Sequence, residues 1–467
     1  MAATSIIEQK PLYNNLPVGQ EIIFVISNDT AVANELKVKF GIEIHVSGTT
    51  PPDMGTSDDL IGTFKTTPNN AGVGIFDLRN IVEGYVKADN MAANGSAYKL
   101  NETSDETPHP IHLIDEYSLN NNTHKYLKCQ FYVEYLVGQV VERVDGTSIN
   151  STLYSISNGY LTYNNELTVG VGNSNFGFDL TTFFPQSNTS QFLTNAPITQ
   201  YANLEDYGTV AVWLPNETIS VAFTKIVLTY YNSAGVSIGT EDIDKTLANG
   251  AYTTWAATSQ KEILFAGCFP GNLQNWSTTF NALVTAGTIQ GGYYTVQGFG
   301  ASAKTKLYTI NVNCPNTKGY ESIRLCWLNQ WGVWDYYTFT KKSIKTISTK
   351  GTTYTQLGGT WNQSKYRVDS YKGGKKSFRV NATEKIKMNT GFVTENDTIM
   401  FEELINSPEV YLLKGYQSDS ANSALNQYVT PVRVTTTSLT KKTSANDNLM
   451  QYTFEVEKTK TLRTQSI

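Results

Sequence analysis

The sequence predicts a mainly β protein, built as two or three antiparallel β-sandwich-like domains with a few short helices. Three observations carry that expectation. The chain has 467 residues, more than the ~250–300 at which a single core stops growing. It is rich in Thr, Asn, Gly and Tyr, with 28 Tyr and only 16 % charged residues, a composition that suits pleated surfaces and tight turns better than helices. And the stretch "LKVKFGIEIHVS" alternates Leu36, Val38, Phe40, Ile42, Ile44 and Val46 with Lys37, Lys39, Gly41, Glu43, His45 and Ser47. Period two over twelve residues predicts one dry and one wet strand face.

Further elements follow in order. "IGTFKT" reads as a second strand, and "TPNNAGVGIF" as a turn and a short strand. "FDLRNIVEGYVKAD" predicts a helix with Asp77 as its cap and Leu78, Ile81, Val82, Tyr85 and Val86 on one face. Residues 88 to 124 are polar and predict long surface loops, after which "KYLKCQFYVEY" returns as a strand. Residues 150 to 200, low in charge but rich in Asn, Ser and Gly, predict an ordered loop-rich insertion or a domain junction. The expected units are an N-terminal β domain at 1–195 with one packed helix, a central β domain at 196–345, and a C-terminal domain at 346–467.

The central unit contains an echo. "IVLTYYNSAGVS" from Ile226 and "IRLCWLNQWGVW" from Ile323 both read strand, N-x-x-G, strand. Asn starts such a turn and Gly permits its positive φ, so each is a hairpin. In the second, apolar groups fall on both faces, so both should be covered. Trp331 stands at the turn and is expected to be kept for a partner, with Trp334 and Tyr336 beside it as interface candidates. In the last unit "TENDTIMFEELINSP" predicts a short helix capped by Asn396 or Asp397, with Ile399, Met400, Leu404 and Ile405 on its apolar side. Strands are expected at "EVYLLKGY", "YVTPVRVTTTSLT" and "LMQYTFEVEKT".

Charge is unevenly spread. From Lys341 to Lys387 twelve Lys and Arg stand against Asp369 and Glu384, a local +10, so with the whole chain at −5 the remainder carries −15. Lys365, Arg367, Lys372, Lys375, Lys376 and Arg379 form the basic patch. Contact with phosphates would make binding fall steeply with salt. The favoured reading is a wet strand face or a contact with the acidic part of a neighbour, because no base-reading motif accompanies the lysines. Nucleic acid is the less favoured partner.

The motifs of chemistry are missing. The four cysteines, Cys129, Cys268, Cys314 and Cys326, lack C-x-x-C spacing and read as buried free thiols. His45, on the wet strand face, and His109, His112 and His124 have no metal-ligand spacing. There is no G-x-S-x-G elbow and no H-E-x-x-H pair, and "YKGGKKSF" fails the phosphate-loop spacing. The acid pairs Asp58-Asp59, Glu241-Asp242 and Glu402-Glu403 read as solvated faces rather than glycosidase carboxylates. No catalytic residue, metal or cofactor is therefore expected. The opening "MAATSIIEQKPLYNNLPVGQ" lacks a signal-peptide pattern, and no apolar run approaches the ~18 residues of a membrane span.

The stretches "TTPNNAGVGIFDLRNIVEGYV", "IRLCWLNQWGVWDYYTFTKKSIKT" and the ending from "ELINSPEVYLL" to "QYTFEVE" give the chain a style that resembles structural proteins of tailed bacteriophages, including the crAss-like phages of Bacteroidota. The resemblance covers a small share of the residues and supplies no active-site signature. It implies a multi-copy virion component of the neck, tail or baseplate, made in the host cytoplasm, whose partners are copies of itself and other virion proteins. Two rival readings remain beside it. One is a receptor- or carbohydrate-binding β-sandwich module of a phage fibre, with exposed Tyr and Trp stacking on sugars; the other is a polysaccharide depolymerase.

Overall fold

The computed structural model describes residues 4–48, 51–54, 59–87, 117–120, 124–160, 167–169, 175–215, 217–244, 262–312, 319–362, 364–394, 397–414, 429–440, 450–460 and 462–463. The protein is mainly β, with several antiparallel sheets and a few short helices arranged around three hydrophobic cores. Among the described residues two pairings are parallel: Asn15–Pro17 with Tyr154–Ser157, and Thr199–Ala202 with Tyr308–Val312.

At the N-terminal end a three-stranded sheet (Ile6–Gln9, Ile23–Ser27, Val73–Asp77) packs with a larger one. The latter runs Asn15–Pro17, Tyr154–Ser157, His124–Val137, Lys39–Ser47, Leu60–Thr66. Phe24 and Ile26 meet Phe40, Ile42, Ile44 and Phe131 in the core between them. The dry face expected from Phe40 to Val46 is buried, but the strand starts only at Lys39. Lys37 adopts a φ of 60°, which breaks the alternation, and Leu36 is exposed. The other face is wet only in part, since His45 is 3 % exposed. That burial holds its imidazole below the ordinary range, against the pull of Glu43 and Asp59.

The first predicted helix is shorter than its sequence pattern. Asp77 Oδ1 accepts the Arg79 N–H at 3.0 Å, yet the α-helix covers only Arg79–Val82 before a 3₁₀ turn at Glu83–Tyr85. Leu78, Val82 and Val86 are buried, whereas Tyr85 is exposed. Gly84 inside the segment weakens helical continuation. Of the expected loops between 88 and 124, Tyr117–Asn120 is a strand paired with Glu262–Ala266; residues 88–116 and 121–123 lie outside the described residues.

The central core lies among two sheets and three short helices. One sheet is Val210–Leu214, Glu262–Ala266, Tyr117–Asn120. The other runs Thr199–Ala202, Tyr308–Val312, Tyr293–Phe299, Lys225–Tyr231, Ser237–Asp244. Phe178, Phe183 and Phe192 already belong to this core, so its membership begins before the boundary expected at 195.

The C-terminal sheet has the order Trp334–Phe339, Ile323–Leu328, Val410–Leu413, Val429–Val434, Thr453–Lys458, Gly374–Asn389, Ser343–Gln356. The helix Thr398–Asn406 packs on it through Met400, Phe401 and Leu404. Asp397 stands before this helix but turns its carboxylate back to the N–H and hydroxyl of Thr394 instead of capping; Asn396 lies outside the described residues. The division expected at 345/346 falls inside the strand Ser343–Gln356. By its hydrogen bonds to Val410–Leu413, the hairpin Ile323–Phe339 belongs to the C-terminal sheet.

Candidate interaction surfaces

The hairpin that carries "WLNQWGVWDYYTF" is a shared wall between two cores. Ile323, Leu325, Trp327 and Phe339 face the C-terminal core, while Cys326, Val333, Trp334 and Tyr336 face the central one. Both faces are covered, as the pattern required. Its turn is held by Asn329: the backbone N–H donates to the Val333 carbonyl, and Oδ1 accepts from the N–H groups of Trp331 (3.0 Å) and Val333 (3.2 Å). Gly332 takes a φ of 74°. The same arrangement recurs at Asn232 with Gly235, and a third time at Asn69 with Gly72.

The interface expected of this hairpin is corrected by its burial. Trp331, Trp334 and Tyr336 are 4 %, 2 % and 3 % exposed within their own chain. Trp331 is covered because other segments close over the tip. Its ring lies 4.6 Å from that of Phe183, Tyr160 N–H donates to the Gln330 carbonyl at 2.6 Å, and Asn329 Nδ2 donates to Leu193 O at 2.9 Å. Trp334 stacks edge-on to Tyr411, and Tyr336 lies beside Phe269. These aromatics join parts of one chain, and none is available to another subunit.

Polar groups on the hairpin serve the same internal joint. Arg324 donates through Nε to Tyr207 O and through Nη1 to Thr338 Oγ1, which in turn donates to Asp206; its guanidinium also lies over the Phe269 ring at 4.7 Å. Asp335 accepts a hydrogen bond from Thr194 and is buried, which pushes its carboxyl up to about 6. Burial, and then the nearby Asp335, hold Glu403 well above the usual carboxylate range.

The basic patch has the opposite environment. Ser343–Gln356 and Gly374–Asn389 pair over their whole length, and Gly359–Asn362 with Lys365–Val368 forms a small second hairpin at the far end. Together they make an arm. At ~3.4 Å per residue the first strand alone spans about 45 Å. No described residue between Lys341 and Lys385 is buried. Lys365, Arg367, Lys375 and Arg379 are exposed and Lys372 and Lys376 half-buried, Arg367 and Lys372 ion-paired to Asp369 at 3.8 and 3.5 Å. Gly373 and Gly374, from the glycine pair of "YKGGKKSF", supply the positive-φ turn that enters the returning strand.

Interleaved with this charge are large apolar groups that sequence reading passed over: Leu357, Trp361, Tyr366, Val368, Tyr371 and Phe378, all exposed. Trp361 and Tyr366 are cross-strand partners. A legible signal existed, since "SIKTISTKGTTYTQ" is strand-forming in composition but has no dry face.

A second surface lies beside the hairpin tip. A cleft of ≈ 870 Å³ opens between the N-terminal unit, which contributes Glu83, Lys87 and Tyr160, and the C-terminal helix and its exit, which contribute Ile399, Glu402, Glu403 and Glu409. Asn195 Nδ2 donates to Glu403 Oε1 at 2.8 Å, while Oε2 is sealed from solvent.

The candidate chemical groups stand apart from one another. Tyr230 and Ser277 donate to Glu241, and Lys225 pairs with Asp242 at 2.6 Å, the two acids pointing to opposite faces of one strand. Asp59 lies in a loop, and Asp58 is outside the described residues, as are His109, His112 and Cys314. His124 is buried against Ser155. Cys129, Cys268 and Cys326 are buried free thiols. Among the described residues no three of His, Cys, Asp and Glu gather as a metal-ligand set, and no helix is long and apolar enough to cross a membrane.

No protein-family model and no curated protein matches the chain. Among solved structures, the native E. coli alpha-2-macroglobulin aligns with 90 % of this chain and 23 % of its own length, at 9 % identity and a TM-score of 0.16. Salmonella alpha-2-macroglobulin aligns as a point mutant over 82 % and 21 % (7 % identity, TM-score 0.17), and as the methylamine-reacted form over 96 % and 23 % (7 %, 0.16). The chain thus spans less than a quarter of the proteins it matches. At such scores the likeness carries no argument about fold or function.

Proposed function

We propose that this chain is a non-enzymatic structural protein that works by assembling with copies of itself and with other proteins, as a neck, tail or baseplate component of a tailed-phage virion. The observation that carries the reading is the arm. Among the described residues the β-ribbon from Lys341 to Lys385 has none buried, and Trp361, Tyr371 and Phe378 stand exposed on it. Exposed apolar groups of that size, set close together, mark surfaces meant for a partner. The phage assignment rests on the sequence resemblance alone.

The test is the solution mass of the whole chain by light scattering over a concentration and salt series, beside a chain in which Thr349 is joined to Ala382 through an Asn-Gly turn. The expected result is a multimer for the whole chain and a folded monomer of unchanged melting temperature for the shortened one. A whole chain that stays monomeric at every concentration overturns the reading. The exposed Trp361 and Tyr371 at the far end of the arm also suit sugar stacking. Specific glycan-array hits lost on Trp361→Ala would move the receptor-binding reading to first place.

A further inference from the structure

The arm and the cleft are opposites in charge and lie at opposite ends of one sheet. From Lys350 to Arg379 seven Lys and Arg stand against Asp369 alone, a net +6. The cleft presents Glu83, Glu402 and Glu409 against Lys87, over an apolar lining that includes Leu328, Ile399 and Pro408. The arm leaves from the edge formed by Gly374–Asn389 and Ser343–Gln356. The cleft is flanked by Ile323–Leu328 and Val410–Leu413, on the far side of Val429–Val434 and Thr453–Lys458. At ~4.8 Å per strand, about 19 Å separates Ile323–Leu328 from Gly374–Asn389, and the arm projects from the edge farther from the cleft.

We propose that the arm of one copy docks in the cleft of a second copy, Lys and aromatic side chains of its outer half entering between the N-terminal unit and the C-terminal helix. This rests on the assembly reading above and specifies its contact. Arm-to-arm pairing would set +6 against +6, a like-charge arrangement that costs several-fold to many-fold in affinity. The acidic cleft offers opposite charge and an apolar floor for Trp361 or Tyr371. Because the two surfaces differ, the contact is head-to-tail. It closes into a ring if the rotation per subunit divides the circle and runs on as a filament if it does not.

Charge exchange tests this with the full chain. One variant carries Lys365→Glu, Lys375→Glu, Lys376→Glu and Arg379→Glu, which takes the arm from +6 to −2; a second carries Glu402→Lys and Glu409→Lys. Each alone should associate at least ~10-fold more weakly than the parent, with circular dichroism and melting unchanged. Mixed in equal amounts, they should recover assembly, since each reversed surface then meets its complement on the other chain. If the cleft variant assembles like the parent, or the mixture fails to recover, the cleft is not the dock and the inference falls while the assembly reading stands. If the arm variant assembles normally but loses retention on duplex DNA or on anionic vesicles, the arm serves a polyanion and the inference also falls. A parent chain that never assembles sinks both readings.

Discussion

Trp331 shows at the scale of one residue how position in a turn can mislead. The N-x-x-G pattern correctly places it at a hairpin tip, and a tip is ordinarily solvated. What the local pattern cannot carry is that residues 158–160 and 181–193, far away in sequence, close over it. Trp331→Ala should therefore destabilise the fold by about 3–5 kcal/mol, the usual range for an emptied Trp site, measured as a lowered urea midpoint. An unchanged midpoint with weakened assembly would restore it to the surface. His45 teaches the same lesson in milder form: alternation assigned its face correctly but could not foresee that the face would be covered.

Elements were more legible than their surroundings. The strand from Phe40, the strand around Cys129 and the two N-x-x-G hairpins could be read because period-two alternation and turn chemistry are local properties. The arm was legible only as a wet strand face, from composition and charge, because a ribbon wet on both faces has no alternation to mark its register or its length. The two matched turns permit a direct comparison of what context adds. A Cβ on Gly235 would have only Tyr293 Oη within reach, at 3.8 Å, whereas on Gly332 it would lie 2.1 Å from the Asn158 carbonyl oxygen. Both glycines have φ near 75°. Gly235→Ala should cost about 1–2 kcal/mol for the left-handed backbone alone, and Gly332→Ala a further ~1–3 kcal/mol for the crowding. Equal urea midpoints for the two variants would mean that the 158–160 segment yields freely.

At the scale of the whole molecule, the hairpin Ile323–Phe339 ties two cores into one thermodynamic object. Trp327 fills the C-terminal core and Trp334 the central core from opposite faces of the same pair of strands. Neither core can open without stripping one face of the other's wall. Calorimetry should accordingly show the central and C-terminal cores unfolding in a single transition, with Trp327→Ala and Trp334→Ala lowering that same peak. Two peaks, each sensitive to only one of the substitutions, would show that the hairpin does not couple them. This coupling also explains why domain borders were the least legible feature: composition shifts at 195 and 345, but the cores interlock across both places.

The three buried thiols give the folded chain a chemical property of its own. Burial pushes Cys268 up to about 12 and raises Cys129 and Cys326 as well, so thiolate, the form that oxidants and alkylating agents attack, is scarce while the cores are closed. Oxidising or alkylating surroundings thus leave Cys129, Cys268 and Cys326 unchanged while the cores are closed. Opening of the N-terminal or central core exposes these thiols at once and returns them to ordinary thiol reactivity.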